Sequence, residues 1–327
     1  MTEPIRWGIM STGNIAHAFA SALNHTPGAD LVAVGSRNME TAEAFAEEHN
    51  IPNRHDSYAS LANDPAVDII YIGTPHIFHY DNMRLCLEAG KPVLCEKAFT
   101  INAREARTVI DIAREKNLFL MEALWTRFTP GLRKIQDMID EGIIGELRTV
   151  TADFGINRPF DPQHRLYNPD LGGGALLDIG IYPLMLALTL LGEPDTIVST
   201  AQFSELGMDT QMGVMLNYNS GQIGAVTATL QSDTPCVATI NGSAGRIEIA
   251  ANFWMPQEFT VIIGDDAEVH DMPFDFNGYE YEAMESMRCL REGLIESPIM
   301  PHSDTLIIME TMDAIRQQWG MTYPTEQ

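Results

Sequence analysis

Two patterns in the sequence predict an α/β domain with a doubly wound parallel sheet, followed by an α+β domain built on a large, mainly antiparallel sheet. Over residues 1–123, short and nearly continuous apolar runs alternate with helical segments, as in a parallel sheet covered on both faces. Over residues 124–327, strand-like runs are joined by short turns, and such strands pair antiparallel. The length of 327 residues agrees with two domains of roughly 150 residues each.

The first apolar run, Ile5-Arg6-Trp7-Gly8-Ile9-Met10, ends in Ser11-Thr12-Gly13-Asn14-Ile15-Ala16. Ala18, Phe19, Ala22 and Leu23 then recur at helical spacing. Strand, tight turn and helix in this order match the dinucleotide fingerprint of a Rossmann domain. Ser11 stands at the first glycine position, Gly13 at the second and the permitted Ala16 at the last. Gly13 lets the backbone approach a pyrophosphate, and the amides at the helix start face its charge.

The second strand, Leu31-Val32-Ala33-Val34-Gly35, runs into Ser36-Arg37-Asn38, with no carboxylate before Glu40. An acid here would grip the ribose of NAD, whereas a guanidinium with a hydroxyl suits a 2′-phosphate, so NADP is expected over NAD. The plainer reading of Arg37 is a surface loop residue. Further strands are expected at Asp68–Ile72, Pro92–Cys95 and Leu118–Met121, with helices near Asn82–Ala89 and Ala103–Lys116. Ligands of such sheets sit at the carboxyl ends of the strands. Two polar groups fall there: Gly73-Thr74-Pro75-His76 with His79, and Glu96-Lys97-Ala98-Phe99.

In the second domain, Gly172-Gly173-Gly174 precedes the apolar run Ala175-Leu176-Leu177-Asp178-Ile179-Gly180-Ile181-Tyr182. The glycines suggest a backbone held open for close approach, and a four-residue spacing puts Asp178 and Tyr182 on one helix face. Strands are expected at 147–154, 196–200, 213–218, 223–229, 246–249 and 259–263, and helices at 280–292 and 304–319.

Composition narrows the partners. A formal charge of −25 argues against nucleic acid and anionic membranes. Cys86, Cys95, Cys236 and Cys289 form no C-x-x-C pair, so no zinc or redox motif is readable and no metal is expected. The residues from Met1 to Trp7 lack a basic segment followed by an apolar core. The apolar stretch Ile179–Leu191 falls short of the roughly 20 residues of a membrane span. A cytoplasmic protein acting on a small molecule is expected.

Cys95-Glu96-Lys97, Gly73-Thr74-Pro75-His76 and Gly172 to Tyr182, in this order over nearly the full length, resemble the glucose-fructose oxidoreductase / inositol dehydrogenase (Gfo/Idh/MocA) family. Met121-Glu122-Ala123-Leu124-Trp125-Thr126-Arg127-Phe128 and Tyr182 are most similar to its branch of dimeric dihydrodiol dehydrogenases and NADP-dependent D-xylose dehydrogenases. The resemblance departs at two places: Ala98 follows the lysine where the family usually has proline, and Tyr182 stands where many members carry histidine. It implies an open-faced second sheet, used on one side for a homodimer. It also implies a cofactor site of Ser11, Thr12, Gly13, Asn14, Ile15, Ser36, Arg37, Asn38, Thr74, Pro75, His76, Glu96, Lys97 and Arg127, and a substrate pocket walled by Trp125, Phe154, Trp254 and Tyr279.

The expected chemistry is oxidation of a sugar or vicinal-diol carbinol. Tyr182 takes the hydroxyl proton, Lys97 is the cation that favours its phenolate, and Asp178 orients the lysine or binds a substrate hydroxyl. His79 is a candidate for proton relay. The alternatives are a glycoside hydrolase or eliminase using a tightly bound nucleotide transiently, and a non-catalytic NADP-binding sensor.

Overall fold

In a computed structural model, Glu3 to Glu326 are described; Met1 and Thr2, part of the segment read above for a leader, lie outside the described residues. The chain forms two compact units: residues 1–128 with 275–305, and residues 129–274 with 306–327. The single cut expected after residue 123 is therefore replaced by a chain that returns to its first unit.

The first unit contains β1 (Ile5–Met10), α1 (Asn14–His25), β2 (Ala29–Gly35), α2 (Met39–His49), β3 (Asn53–His55), α3 (Tyr58–Ala62), β4 (Ile69–Ile72), α4 (His79–Glu88), β5 (Val93–Glu96), α5 (Ala103–Lys116) and β6 (Leu120–Ala123). All pairings are parallel, and the strand order is β3-β2-β1-β4-β5-β6. β4, β5 and β6 are buried at every residue, as a sheet covered on both faces requires. β3 was absent from the expectation because Asn53-Arg54-His55 is polar and only half covered at the sheet edge.

The second unit contains α6 (Pro130–Asp140), β7 (Leu147–Gly155), a π turn at Leu176–Gly180 that runs into α7 (Ile181–Leu191), β8 (Thr196–Phe203), β9 (Asp209–Asn217), β10 (Ile223–Thr229), β11 (Ala238–Gly242), β12 (Arg246–Ile249), β13 (Glu258–Ile263) and β14 (Asp266–Asp271). Its eight strands run β14-β13-β12-β11-β7-β10-β9-β8, antiparallel except for the parallel pair β7 and β10. That exception arises because β7 and β10 are joined by a long crossover containing α7 instead of a hairpin. The unforeseen edge strand β14, Asp266-Ala267-Glu268-Val269-His270-Asp271, is charged and mostly exposed, which hides its strand character but blunts a free sheet edge.

From Pro169 to Leu191 the chain is long and apolar enough to cross a membrane by composition, which corrects the shorter stretch expected; 83% of its most apolar 18-residue window is buried inside the protein, where α7 packs on β7 and β10.

The returning segment carries α8 (Glu280–Glu292) and the start of α9 (His302–Trp319). It closes the edge of β6, where the Leu120 amide donates to the Ile295 carbonyl at 3.0 Å and the His302 ring meets the Leu120 carbonyl at 2.8 Å. Asn277 Nδ2 also reaches the Ala18 carbonyl of α1 at 2.9 Å. All four cysteines are free and buried.

Candidate active site

In the first unit, the predicted polar groups stand at the carboxyl ends of adjacent strands. β1 and β4 are neighbours at the centre of the sheet, where the connections diverge to opposite sides, and this is the crevice such folds use for dinucleotides. Ser11 takes a φ of 122°, a conformation glycine adopts freely, and its Oγ accepts the Gly13 amide at 3.2 Å. The missing first glycine is thus replaced by a residue held in a glycine-like backbone. Gly13 begins α1, no side chain caps this helix, and a Cβ built at Gly13 would meet only Ser11 Oγ at 3.6 Å. An open, uncapped helix start beside Thr12, Asn14 and Ile15 fits a pyrophosphate. Gly73 packs against the same turn, since a Cβ there would lie 3.2 Å from Ile15 Cγ2.

After β2, Arg37 is exposed and Ser36 is buried. Ser36 Oγ and Thr41 Oγ1 are 2.6 Å apart, while Asn38 Oδ1 accepts the Thr41 amide at 2.9 Å and so caps α2. Asn38 is committed to its helix, which leaves Arg37 as the outward cation of this loop.

Beyond β4, Pro75 leads into a short 3-10 turn at His76–Phe78, and Thr74 Oγ1 accepts from Asn82 at 3.0 Å. His79 is fully buried. Its ring nitrogens lie 2.8 Å from the Ala98 carbonyl and 2.7 Å from the Thr74 carbonyl. Burial pulls the imidazole pKa below its ordinary range, and the neutral ring donates its single N–H to one of these carbonyls while packing against the other. His79 therefore ties the loop after β4 to the loop after β5. It is a positioning residue, in place of the proton relay expected from the sequence. His76 sets its ring edge-on to His79 at 5.7 Å.

Glu96, at the end of β5, accepts a hydrogen bond from the buried Tyr71 hydroxyl at 2.6 Å. Lys97 follows it half-buried, and the Lys97–Ala98 peptide bond is cis. Behind them Glu122 accepts the Phe99 amide at 3.2 Å, and burial pushes its carboxyl up to about 7.

Arg127 is placed differently from its expected cofactor role. It is buried, and Nη2 donates to the Ile299 carbonyl at 2.6 Å and to Asp304 at 2.7 Å, anchoring the returning segment of its own unit. The four predicted pocket aromatics also divide. Trp125 and Tyr279 meet in the first unit at 4.8 Å, whereas Phe154 and Trp254 stack at 3.8 Å in the second.

In the second unit, Asp178 lies inside the π turn and Tyr182 in the first turn of α7; both are buried. π turns within α-helices occur frequently at functional sites. Tyr182 has its ring 5.7 Å from Phe154 and 6.3 Å from Trp254, an apolar wall beside a phenol. Asp178 is held by Arg165, which donates from Nη1 at 2.6 Å and from Nη2 at 3.3 Å. Arg165 sits in an irregular segment with no periodic or spacing signal, so sequence reasoning missed it.

The glycine run is explained by contacts inside this unit. A Cβ at Gly173 would lie 2.8–3.0 Å from the carbonyl oxygens of Arg165, Leu166 and Asn168, and one at Gly174 would lie 2.2 Å from Asp209 Oδ1. Gly172 and Gly174 also have positive φ, 72° and 116°. Close approach is required, but the approaching group is the protein's own chain, which corrects the expectation of an open loop. Asp209 Oδ2 accepts the Leu176 amide at 2.7 Å, and Tyr323 donates its hydroxyl to the Gly173 carbonyl at 2.7 Å. Both residues, distant in sequence, brace the segment that carries Asp178 and Tyr182. Burial raises the Asp209 carboxyl to about 6.

Residues 5–124 match the model of an oxidoreductase family with an NAD-binding Rossmann fold, and residues 132–248 match the Gfo/Idh/MocA C-terminal domain. The chain belongs to the Gfo/Idh/MocA family. It is an oxidoreductase with a nicotinamide-dinucleotide-binding domain. Trans-1,2-dihydrobenzene-1,2-diol dehydrogenase of Xenopus tropicalis is 37% identical over 331 residues, covering 98% of this chain and 99% of the relative. The Homo sapiens enzyme of the same name is 36% identical over 333 residues, with the same coverage. A solved structure of a 3-ketoreductase from Actinomadura kijaniata, in complex with NADP and TDP-benzene, is similar with a TM-score of 0.86 and 28% identity, covering 96% of this chain and 98% of that one. An aldose-aldose oxidoreductase from Caulobacter crescentus shares the fold with a TM-score of 0.88 at 22% identity, over 98% of this Gfo/Idh/MocA chain and 99% of its own.

Proposed function

We propose that this Gfo/Idh/MocA oxidoreductase is an NADP-dependent dehydrogenase that oxidises a carbinol of a vicinal diol or sugar. The observation that carries the reading is the burial of Tyr182 beside the stacked Phe154 and Trp254, with ion-paired Asp178 four residues before it, in a chain similar over nearly its full length to dihydrodiol dehydrogenases. A phenol against aromatic faces suits a small ring whose hydroxyls need a proton acceptor.

The open helix start at Gly13 fits the pyrophosphate, and Arg37 is the group for a 2′-phosphate. When bound, the nicotinamide accepts the hydride. In this mechanism Tyr182 takes the hydroxyl proton, and Lys97, at the end of β5 in the dinucleotide-binding unit, is a cation of the kind that lowers the cost of a phenolate. Arg165 holds Asp178 by two hydrogen bonds and turns it to one side, where it orients a polar partner.

Tyr182→Phe and Lys97→Met should each abolish turnover while NADP still binds, read by fluorescence titration and by absorbance of the reduced nucleotide. Near-normal rates in both would sink the assignment. Arg37→Ala should weaken NADP binding by at least tenfold and leave NAD binding little changed, given the strength of charge-assisted contacts to a phosphate.

We further infer a homodimer through the open face of the eight-stranded sheet. There exposed Val198 and Met215 are paired across β8 and β9 and border a shallow apolar depression. Light scattering should find a dimer, and Val198→Lys with Met215→Lys should yield monomers.

A further inference from the structure

A second cluster of chemistry-bearing side chains lies in the first unit, apart from every residue assigned above. His17, on the opening turns of α1, and Glu48 with His49, at the close of α2, bring three donor atoms to one point. His17 Nδ1 is 2.9 Å from His49 Nε2 and 3.3 Å from Glu48 Oε1, and His49 Nε2 is 3.7 Å from the same oxygen. The edges of this triangle bracket about 3.3–3.4 Å, the ligand-to-ligand distance in a tetrahedral site with Zn–N bonds of about 2.0–2.1 Å.

The rings are already oriented. Phe45 packs against both, its centroid 4.5 Å from the His17 ring and 4.6 Å from the His49 ring, which are themselves 5.1 Å apart, and His49 is buried. Without a metal, the two ring nitrogens share one hydrogen and the carboxylate caps the pair from the solvent side, where Glu48 is exposed. Two neutral imidazoles and one carboxylate from neighbouring helices form a donor set suited to zinc, with the fourth position left to water.

We propose that His17, Glu48 and His49 form a zinc site that clamps α1 to α2. Zinc enters as the hydrogen shared between His17 Nδ1 and His49 Nε2 moves, through solvent, to the other nitrogen of the ring that carries it, so that both imidazoles stay neutral and turn lone pairs to the ion. The bound ion joins the first turns of α1 to the last turn of α2, reinforcing the packing of the His17 ring on Phe45 and His49. The role is structural, and zinc binding requires neither turnover nor the functional reading above.

The test uses the untagged full-length protein, stripped with a chelator, and zinc chloride as the titrant in calorimetry. One zinc per chain is expected, with a thermal midpoint that rises with zinc concentration. His17→Ala and His49→Ala should each weaken this binding by at least the roughly 10- to 100-fold that even an outer-sphere loss costs. Exposed Glu48→Ala, which keeps the helix pair intact, should also weaken it and should lose the zinc-dependent rise in midpoint. Cobalt(II) in place of zinc should give the intense visible bands of tetrahedral coordination. Failure to take up one equivalent, or uptake unchanged in Glu48→Ala and His17→Ala, would overturn the proposal.

Discussion

The two glycine turns, Ser11–Ala16 in the first unit and Gly172–Gly174 in the second, look alike as sequence and differ as structure. At Gly13 a side-chain carbon would have room, and the helix start beyond it has no cap. At Gly173 and Gly174 it would collide with carbonyl oxygens and with Asp209. The first glycine keeps space free for something outside the chain, and the later ones make room for the chain itself. A glycine run is thus a statement about crowding, and only the neighbours tell whether ligand or protein does the crowding.

Substitutions separate these two roles. Gly174→Ala should be the most damaging, because it combines a positive φ with a contact at 2.2 Å; a loss of about 3 kcal/mol or more in urea unfolding is expected. Gly13→Ala, by contrast, should cost less than about 1 kcal/mol while weakening dinucleotide binding. Equal losses at both positions would erase the distinction.

Asp209→Ala should cost roughly 2–3 kcal/mol, since it strands the buried Leu176 amide. Combined with Gly174→Ala the losses should be less than additive, because removing the carboxylate removes the collision.

A pH series sharpens the same contact. The folded Asp209 carboxyl sits at about 6, above its ordinary value of 3.8. The native state therefore holds more protons than the unfolded chain between these limits, and stability falls as pH rises through that window. Asp209→Asn lacks this titration. Relative to wild type, its unfolding free energy should gain between pH 4 and pH 7, by an amount on the order of 2–3 kcal/mol, read from urea titrations at each pH. A flat difference would show that Asp209 stays ionised in the fold. The smallest effect is expected from Tyr323→Phe, about 1 kcal/mol for one hydrogen bond to Gly173, read in the same unfolding assay.

Much of this was legible in residue order. The inner strands of the first sheet announce themselves because apolar residues fill both faces, and the returning helix at 280–292 was expected over the residues where it is found. Lys97, Tyr182 and Asp178 were visible because they stand at fixed distances from strand ends or glycines. Arg165, Asp209 and Tyr323 were not, since each acts through a contact 13, 33 or 150 residues away. Arg127 was misjudged for the same reason: its partners Ile299 and Asp304 arrive only when the chain returns to the first unit.

The sequence by itself determined the two layers of architecture and the Rossmann turn, and it put forward candidate site residues, because these depend on local period and on residue type. The tertiary structure decided what the glycines at 172–174 are for, which histidine is a strut and which cation is already spent. It also decided that His17 and His49, 32 residues apart, face one carboxylate. Those outcomes rest on long-range packing and on which polar groups folding leaves paired, and neither is written in any stretch short enough to be read along the chain.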